Sequence, residues 1–238
     1  MSYRLGTKAK GGKMSATEAL AFDMYGTLVD PIRIWRQLEH FFSGDAQRIA
    51  EIWRQKQLEF TFRLTAMERY EDFEQVTRKA LDYALVATGH SLETQQKNSL
   101  MAQYNDLERF ADVEPGLQRL KDTGYTMVVF SNGNPAMLTA IMNAANLDPY
   151  FKGFVSVDEV KVYKPSPIVY RHVANSLGRL IGEVRLISSN PFDVIGAEAA
   201  GMQAAWVNRS GGLFDTLAPM PHMVVKSLIE LASMLAPL

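Results

Sequence analysis

The sequence contains no cysteine among its 238 residues. This absence excludes disulfide bonds and metal sites built on cysteine thiolates, although a cysteine-free chain is compatible with any cellular compartment. An excess of charge of either sign is also missing, because 25 basic residues are balanced by 26 acidic ones for a formal net charge of −1. The composition therefore gives no reason to expect a nucleic acid or a charged membrane surface as a partner.

Long apolar runs are missing as well. No segment approaches the roughly 20 consecutive apolar residues that a membrane-spanning helix needs. The first 13 residues are polar and basic, and no apolar stretch typical of a secretory signal follows them. We therefore expect residues 1–16 to be a disordered leader outside the fold, and the protein to be cytoplasmic.

Six short apolar runs, several of them rich in β-branched residues, predict β-strands. They cover residues 18–22, 126–131, 154–157, 184–188, 204–208 and 222–225. Helical spacing of apolar residues alternates with most of these runs, which predicts an α/β fold with a doubly wound parallel sheet. No convincing strand occurs in residues 31–110, so this segment is predicted to be a helical cap domain inserted into a core made of 17–30 and 111–238.

Three predicted strand-to-helix junctions share one local pattern. Asn134-Pro135, Ser166-Pro167 and Asn190-Pro191 each place a capping residue before a proline. Asparagine and serine suit the N-cap position, and proline suits the first helical position. Free N–H groups at such helix starts attract anions, so these junctions are candidate parts of a binding site.

An aspartate directly follows the first predicted strand. Asp23 comes after Ala19–Phe22, and Gly26 allows the chain to turn tightly three residues later. Open α/β sheets bind their ligands at the carboxyl ends of the strands, and a carboxylate placed there is able to act as a covalent nucleophile. The alternative is that Asp23 only accepts hydrogen bonds within a tight turn.

Four segments, in this order, resemble the four motifs of the haloacid dehalogenase superfamily. They are Asp23–Thr27, Val129–Asn134, Lys164–Tyr170 and Ser188–Asp193. Phosphatases of that superfamily carry a second aspartate where this chain has Tyr25, and two acidic residues in the fourth motif where it has only Asp193. A halide leaves without a proton, so a carbon–halogen hydrolase does not need the second aspartate. Mg²⁺ prefers carboxylate oxygens, and their loss suggests a site without metal.

The segment Trp53–Phe60 adds a fifth likeness, and the whole pattern resembles the L-2-haloacid dehalogenase family from about residue 17 to the last strand. The resemblance implies that Asp23 displaces halide from a short L-2-haloalkanoic acid and forms an aspartyl ester. Water then releases a D-2-hydroxy acid. The substrate and water are the implied small-molecule partners, no cofactor is expected, and a homodimer is suggested.

Site residues are carried over from the family position by position. The catalytic group comprises Asp23, Thr27, Lys164, Ser188, Asn190 and Asp193. Thr27 would orient the nucleophile, Lys164 would hold its carboxylate, and Asp193, positioned by Ser188 and Asn190, would activate water. The group that binds substrate and halide comprises Tyr25, Arg54, Gln55, Leu58, Phe73, Ser131, Asn132, Tyr170 and Phe192.

Within that second group, the resemblance assigns the halide to Arg54, Asn132 and Phe192. Ser131 and the N–H group of Tyr25 would bind the substrate carboxylate. Gln55, Leu58 and Phe73 would close the apolar side of the pocket, and Tyr170 would support Lys164.

Plainer interpretations of these residues stand beside the functional ones. Lys164 and Arg54 are also explained as solvated helix residues, and Asp193 as a charge that stabilises a helix N-terminus. Tyr25 and Phe73 are equally typical of core packing. For the whole protein, the alternatives are a phosphatase of the same superfamily and a binding module that kept the fold without activity.

Overall fold

A single six-stranded parallel sheet forms the centre of the protein, seen in a computed structural model that describes residues 18–236. The strands are β1 Ala19–Phe22, β2 Thr126–Ser131, β3 Phe154–Ser156, β4 Val184–Ser188, β5 Gln203–Val207 and β6 Met223–Val225. Each of the six predicted strands is confirmed, with boundaries that differ by at most one residue. The leader expected at residues 1–16 lies outside the described residues.

The sheet has the order β3-β2-β1-β4-β5-β6, with β1 in its interior. All four residues of Ala19–Phe22 are fully buried, because a parallel strand covered by helices on both faces is apolar throughout. The chain passes from β1 to β2 and β3 on one side and then returns to β4 on the other. The carboxyl ends of β1 and β4 therefore flank the point where the strand order reverses, where such sheets bind ligands.

The described part of the chain contains nine α-helices. They are α1 Trp35–Leu38, α2 Ala46–Ala66, α3 Phe73–Ala87, α4 Thr94–Gln103, α5 Val113–Asp122, α6 Pro135–Ala144, α7 Pro167–Ser176, α8 Pro191–Ala199 and α9 Leu228–Leu235. Short 3-10 helices occur at Pro31–Ile34, Asp148–Tyr150, Val157–Glu159 and Ile181–Glu183. The doubly wound α/β fold predicted from the sequence is confirmed.

The segment between β1 and α5 is helical, and its two ends lie side by side. The amide of Asp30 donates to the carbonyl of Glu108 at 3.1 Å, and the amide of Phe110 donates to the carbonyl of Leu28 at 3.1 Å. The chain therefore leaves the core and returns to it at adjacent points. Within the segment, α2 packs against α3.

The three predicted helix starts differ in how they are capped. Each proline lies in the first turn of its helix, and the Asn134 side chain accepts a hydrogen bond from the amide of Met137 at 2.9 Å, as expected. The side chains of Ser166 and Asn190 form no capping bond. The Asn190 side chain is instead oriented toward Asp23, to which its Nδ2 atom donates; nothing in the structure explains Ser166.

Helices α5 and α9 approach each other closely at Gly116. A Cβ atom at this position would lie 2.5 Å from the Cβ of Leu228 and 2.6 Å from its carbonyl carbon. Neither atom belongs to the flexible end of a side chain, so a methyl group here forces the two helices apart.

We expect Gly116→Ala to lower the free energy of unfolding by about 1–3 kcal/mol through this overpacking. Urea denaturation of the purified variant measures the change. Gly182→Ala is the matched control, because the nearest atom to its added Cβ lies 3.9 Å away. Equal unfolding midpoints for the two variants would contradict the close packing of α5 on α9.

Candidate active site

The Asp23 carboxylate lies at the carboxyl end of β1 and is held by donors from three segments. Its Oδ1 atom accepts from Lys164 Nζ at 3.1 Å. Its Oδ2 atom accepts from Thr27 Oγ1 at 3.0 Å and from Asn190 Nδ2 at 2.8 Å. The aspartate is only 6% exposed, so these three bonds fix its orientation.

The turn after Asp23 depends on Gly26, which has a φ angle of +91°. Side chains with a Cβ rarely adopt this conformation, as the sequence predicted. The turn brings Thr27 back toward Asp23, and Thr27 Oγ1 also accepts from the amide of Ser189 at 2.9 Å. Thr27 therefore joins the loop after β1 to the loop after β4.

Lys164 lies between two carboxylates in the interior. Its ammonium group donates to Asp23, to Asp193 Oδ2 at 2.9 Å and to the carbonyl of Phe130 at 2.9 Å. The side chain is 1% exposed, and a lysine has three donor hydrogens, so every one of them is used. The interpretation of Lys164 as a solvated helix residue is wrong.

Asp193 is fully buried in the first turn of α8. Burial raises the pKa of its carboxyl group, and the nearby charge of Asp23 raises it further, while Lys164 and Tyr170 act in the opposite direction. Its Oδ1 atom accepts from the Tyr170 hydroxyl at 2.8 Å. The raised pKa makes Asp193 a better proton acceptor than an ordinary aspartate when it is ionised.

The side chains of Ser188 and Asn190 form no hydrogen bond with the Asp193 carboxylate, while the carbonyl of Asn190 accepts from the amide of Asp193 at 3.1 Å. Ser188 Oγ accepts from the backbone amide of Asn190 at 3.1 Å. Asn190 Nδ2 donates to Asp23 and to the carbonyl of Tyr25 at 3.1 Å. The Asn190 side chain therefore binds the Asp23 carboxylate and the loop that follows it.

The second motif contributes two buried polar residues. Asn132 Oδ1 accepts from the backbone amide of Lys164 at 3.1 Å, which ties the loop after β2 to the loop before α7. Ser131 Oγ accepts from the amide of Gly133 at 3.2 Å. All four motifs thus meet at one edge of the sheet.

Arg54 reaches this edge from helix α2. Its guanidinium donates to the carbonyl of Tyr25 at 3.0 Å and to Gln57 Oε1 at 2.7 Å. The side chain is half-buried, so Arg54 is not a freely solvated helix residue. It places a positive charge beside the loop that carries Asp23.

The aromatic residues of the site pack against one another. The Tyr25 ring lies 5.4 Å from Phe73 and 5.8 Å from Tyr104 between ring centroids. Its hydroxyl is buried and has no hydrogen-bond partner within residues 18–236. Burial raises the pKa of Tyr25 well above its ordinary value, which keeps the phenol protonated.

Within the described chain, the side chains of three further sequence-predicted residues form no hydrogen bond with the other site residues. Phe192 is half-buried and packs edge-on against Phe62 of α2, with ring centroids 5.0 Å apart. Leu58 is half-buried. Gln55 is exposed, and its side chain makes no hydrogen bond within residues 18–236.

Arg209 is a site residue that sequence reasoning missed. It donates to the carbonyl of Thr27 at 2.9 Å and to Ser189 Oγ at 3.1 Å, and it pairs with Asp112 at 2.9 Å. It therefore connects the loop after β1 to the loop after β4 by hydrogen bonds. A single arginine beyond β5 carries no motif, so the sequence held no signal for this role.

Gln57 was also missed, although the sequence carried a signal for it. Ile49, Trp53, Gln57 and Thr61 recur every four residues on the buried side of α2. A glutamine on the apolar face of a helix must have a hydrogen-bond partner inside the protein. The pattern therefore predicts a buried polar contact at Gln57.

In sum, the arrangement offers a fixed carboxylate at Asp23, a proton acceptor at Asp193 and two cations. The nitrogen of Lys164 lies between the two carboxylates, and no cluster of three or more side chains able to hold a metal occurs in residues 18–236. These groups suit an attack by Asp23 on carbon followed by hydrolysis of an ester.

Comparisons with known proteins agree with this chemistry. A family profile described as haloacid dehalogenase-like hydrolase matches residues 17–201. (S)-2-haloacid dehalogenase 1 of Pseudomonas sp. (strain CBS-3) is 38% identical over 223 residues, covering 93% of this chain and 98% of the relative. (S)-2-haloacid dehalogenase 4A of Burkholderia cepacia is 37% identical over 226 residues, covering 94% and 96%.

A solved structure is similar over the same range. L-2-haloacid dehalogenase from Xanthobacter autotrophicus, with chloropropionic acid covalently bound, superposes with a TM-score of 0.85 at 33% sequence identity. The match covers 92% of this chain and 98% of that chain. Fold, motifs and identity over nearly the full length agree, and the chain therefore belongs to the haloacid dehalogenase-like hydrolases and, among them, to the family of the (S)-2-haloacid dehalogenases.

Proposed function

We propose that this protein hydrolyses short L-2-haloalkanoic acids to D-2-hydroxy acids and halide. The observation that carries the proposal is the Asp23 carboxylate, fixed at the end of β1 by Lys164, Thr27 and Asn190. Tyr25 stands two residues later, where a phosphatase of the superfamily has its acid. A halide needs no proton to leave, so this substitution suits carbon–halogen cleavage.

In the first step, a carboxylate oxygen of Asp23 attacks the α-carbon of the substrate opposite the halogen. A carbon–oxygen bond forms, and the carbon–halogen bond breaks with its electron pair going to the halide. The hydrogen bonds on Asp23 hold it in one orientation before the attack, which favours the in-line geometry. Arg54, beside the same loop, stabilises the negative charge that develops on the halide.

In the second step, water attacks the carboxyl carbon of the Asp23 ester. Asp193 accepts the proton of that water, and the Lys164 ammonium stabilises the oxyanion of the tetrahedral intermediate. Collapse of this intermediate breaks the bond between the aspartyl carbon and the ester oxygen, and the departing alkoxide takes the proton back from Asp193 to give the 2-hydroxy acid. The bond between that oxygen and the substrate α-carbon stays intact, so the inversion of the first step remains in the product.

Three substituents of the substrate have separate places in this proposal. The carboxylate lies near Ser131 and the loop N–H groups, including that of Tyr25, and the halide lies near Arg54, Asn132 and Phe192. The alkyl group packs against Gln55, Leu58 and Phe73. Fixed places for three substituents discriminate between enantiomers, because the wrong enantiomer misaligns the attack.

The proposal includes residues 31–110 as a helical cap that closes over the core site. Support comes from the adjacent chain crossings at 28–30 and 108–110 and from Arg54, which lies in this segment and contacts the Asp23 loop. A homodimer and a cytoplasmic location complete the proposal and rest on the family resemblance.

No helix within residues 18–236 combines the length and the apolar character needed to cross a membrane.

The reaction itself is the direct test. We expect L-2-chloropropionate to give chloride and D-lactate, and the D-substrate to react far more slowly. Chloride assay and chiral chromatography of the lactate measure both, after dialysis of the enzyme against EDTA. L-lactate from the L-substrate would reject the single displacement. Hydrolysis of p-nitrophenyl phosphate that is restored by Mg²⁺, without halide release, would favour a phosphatase.

Isotope labelling tests Asp23 as the nucleophile. With enzyme in excess over substrate in ¹⁸O-water, we expect unlabelled lactate and one ¹⁸O atom in the peptide that contains Asp23, since water attacks the aspartyl carbon. Mass spectrometry of product and peptide reads out both. Enzyme kept in ¹⁸O-water without substrate is the control, and label in the first-turnover lactate would rule out an aspartyl ester.

Removing the Tyr170 hydroxyl tests Asp193 as the base. The hydroxyl bond lowers the pKa of Asp193, so Tyr170→Phe raises that pKa further. Below its pKa Asp193 is protonated and accepts no proton, so we expect the acid limb of ester hydrolysis to move to higher pH. Single-turnover rates against pH measure this. Tyr125→Phe, which loses one hydroxyl bond to Leu235, is the control, and an unmoved limb in Tyr170→Phe would exclude Asp193.

A further inference from the structure

Gln57 is a fully buried amide in helix α2. Its Oε1 atom accepts from the Arg54 guanidinium at 2.7 Å and from the Tyr104 hydroxyl at 3.1 Å, and its Nε2 atom donates to Thr77 Oγ1 at 2.6 Å. An arginine only donates hydrogen bonds, so the atom of Gln57 that faces Arg54 must be the oxygen. The contact with Arg54 thus determines the orientation of the amide.

The other side of this amide is anchored on helix α3. Thr77 Oγ1 donates to the carbonyl of Phe73 at 2.6 Å, and Trp53 Nε1 donates to the carbonyl of Thr77 at 2.8 Å. The position of Gln57 is therefore fixed by the packing of α2 on α3. Through Gln57, that packing also fixes the guanidinium of Arg54.

Both oxygens that bind Arg54 are uncharged. They are the amide oxygen of Gln57 and the backbone carbonyl of Tyr25. Across residues 18–236, no carboxylate forms an ion pair with Arg54 within 4.0 Å. The guanidinium is therefore held in place by neutral acceptors, and no ion pair among the described residues neutralises its positive charge.

We infer that Gln57 is a positioning residue, which holds the Arg54 guanidinium beside the Asp23 loop as an unneutralised cation for the departing halide. The inference rests on the proposed function. Gln57 does not touch the reacting atoms, and it acts only through Arg54. A glutamate has the same length and also accepts from Arg54, but its charge offsets the cation that the halide needs.

The two half-reactions separate this role from simple structural support. Arg54 stabilises the halide during ester formation and has no part in ester hydrolysis. Loss of its positioning therefore slows the first step and spares the second. If Gln57 only stabilised the fold, its substitution would slow both steps together or change neither rate.

The experiment compares Gln57→Leu and Gln57→Glu with the unchanged protein in rapid-quench single turnovers of L-2-chloropropionate and L-2-bromopropionate. We expect each variant to form the ester about 10- to 100-fold more slowly, with a larger loss for chloride, the poorer leaving group. The rate of ester hydrolysis stays unchanged. Equal slowing of both steps, or an unchanged rate of ester formation, overturns the inference.

The double variant Arg54→Ala with Gln57→Leu gives a second criterion. If Gln57 acts through Arg54, adding Gln57→Leu to Arg54→Ala slows ester formation by no more than about twofold, because coupled residues are not additive. Independent, multiplicative losses overturn the inference. Gln47→Leu is the matched control, since Gln47 lies exposed on the same helix and its side chain bonds only to Glu51 among the described residues.

Bromide binding tests the inference without measuring catalytic turnover. Titration of each protein with sodium bromide, followed by tryptophan fluorescence, measures the halide site directly. We expect Gln57→Leu and Arg54→Ala to weaken binding alike. Gln57→Glu still accepts from Arg54, but it should also weaken binding, because its negative charge offsets the cation. Unchanged bromide affinity in both Gln57 variants overturns the inference, whereas absence of halide release by the unchanged protein rejects only the proposed function.

Discussion

The buried ammonium of Lys164 between Asp23 and Asp193 is the interaction on which the site depends. Burial raises the pKa of Asp193, and the neighbouring charge of Asp23 raises it further, while Lys164 lowers it. Lys164 donates its three hydrogens to Asp23, Asp193 and a backbone carbonyl. Its positive charge offsets part of the free-energy cost of burying the two carboxylates. Removal of this single cation would leave the nucleophile and the base without the hydrogen-bond donor that they share in the interior.

The two cations of the site have different partners and therefore different duties. Lys164 is surrounded by carboxylates, and its charge is used within the protein. Arg54 is bound by neutral oxygens, and its charge remains for an anion that arrives from outside. In the proposed mechanism, this separation lets Lys164 hold the nucleophile while Arg54 stabilises the leaving halide. Gln57 maintains the difference, because it offers a hydrogen-bond acceptor without a charge.

Sheet topology brings these groups together. Because the strand order reverses between β1 and β4, the loops after these two strands face each other across a crevice. Thr27 and Asn190 connect the loops directly, and Arg209 connects them from behind. The nucleophile is thus attached to rigid elements on both sides, which limits its motion before the attack.

Local sequence pattern determined the six strands, the helical segment inserted after the first of them, and the place of Asp23 at the end of β1. These features depend on apolar periodicity and turn residues within a few positions, so they are visible in one sequence. The hydrogen-bond partners were decided only by the tertiary structure. Lys164 and Asp23 are 141 residues apart, and Arg209 and Thr27 are 182 apart. Asn190 is an example. Its neighbours predict a helix cap, in which the side-chain oxygen accepts from the helix. In the structure the side chain instead donates to the carboxylate of Asp23, which the pairing of β1 with β4 brings beside it.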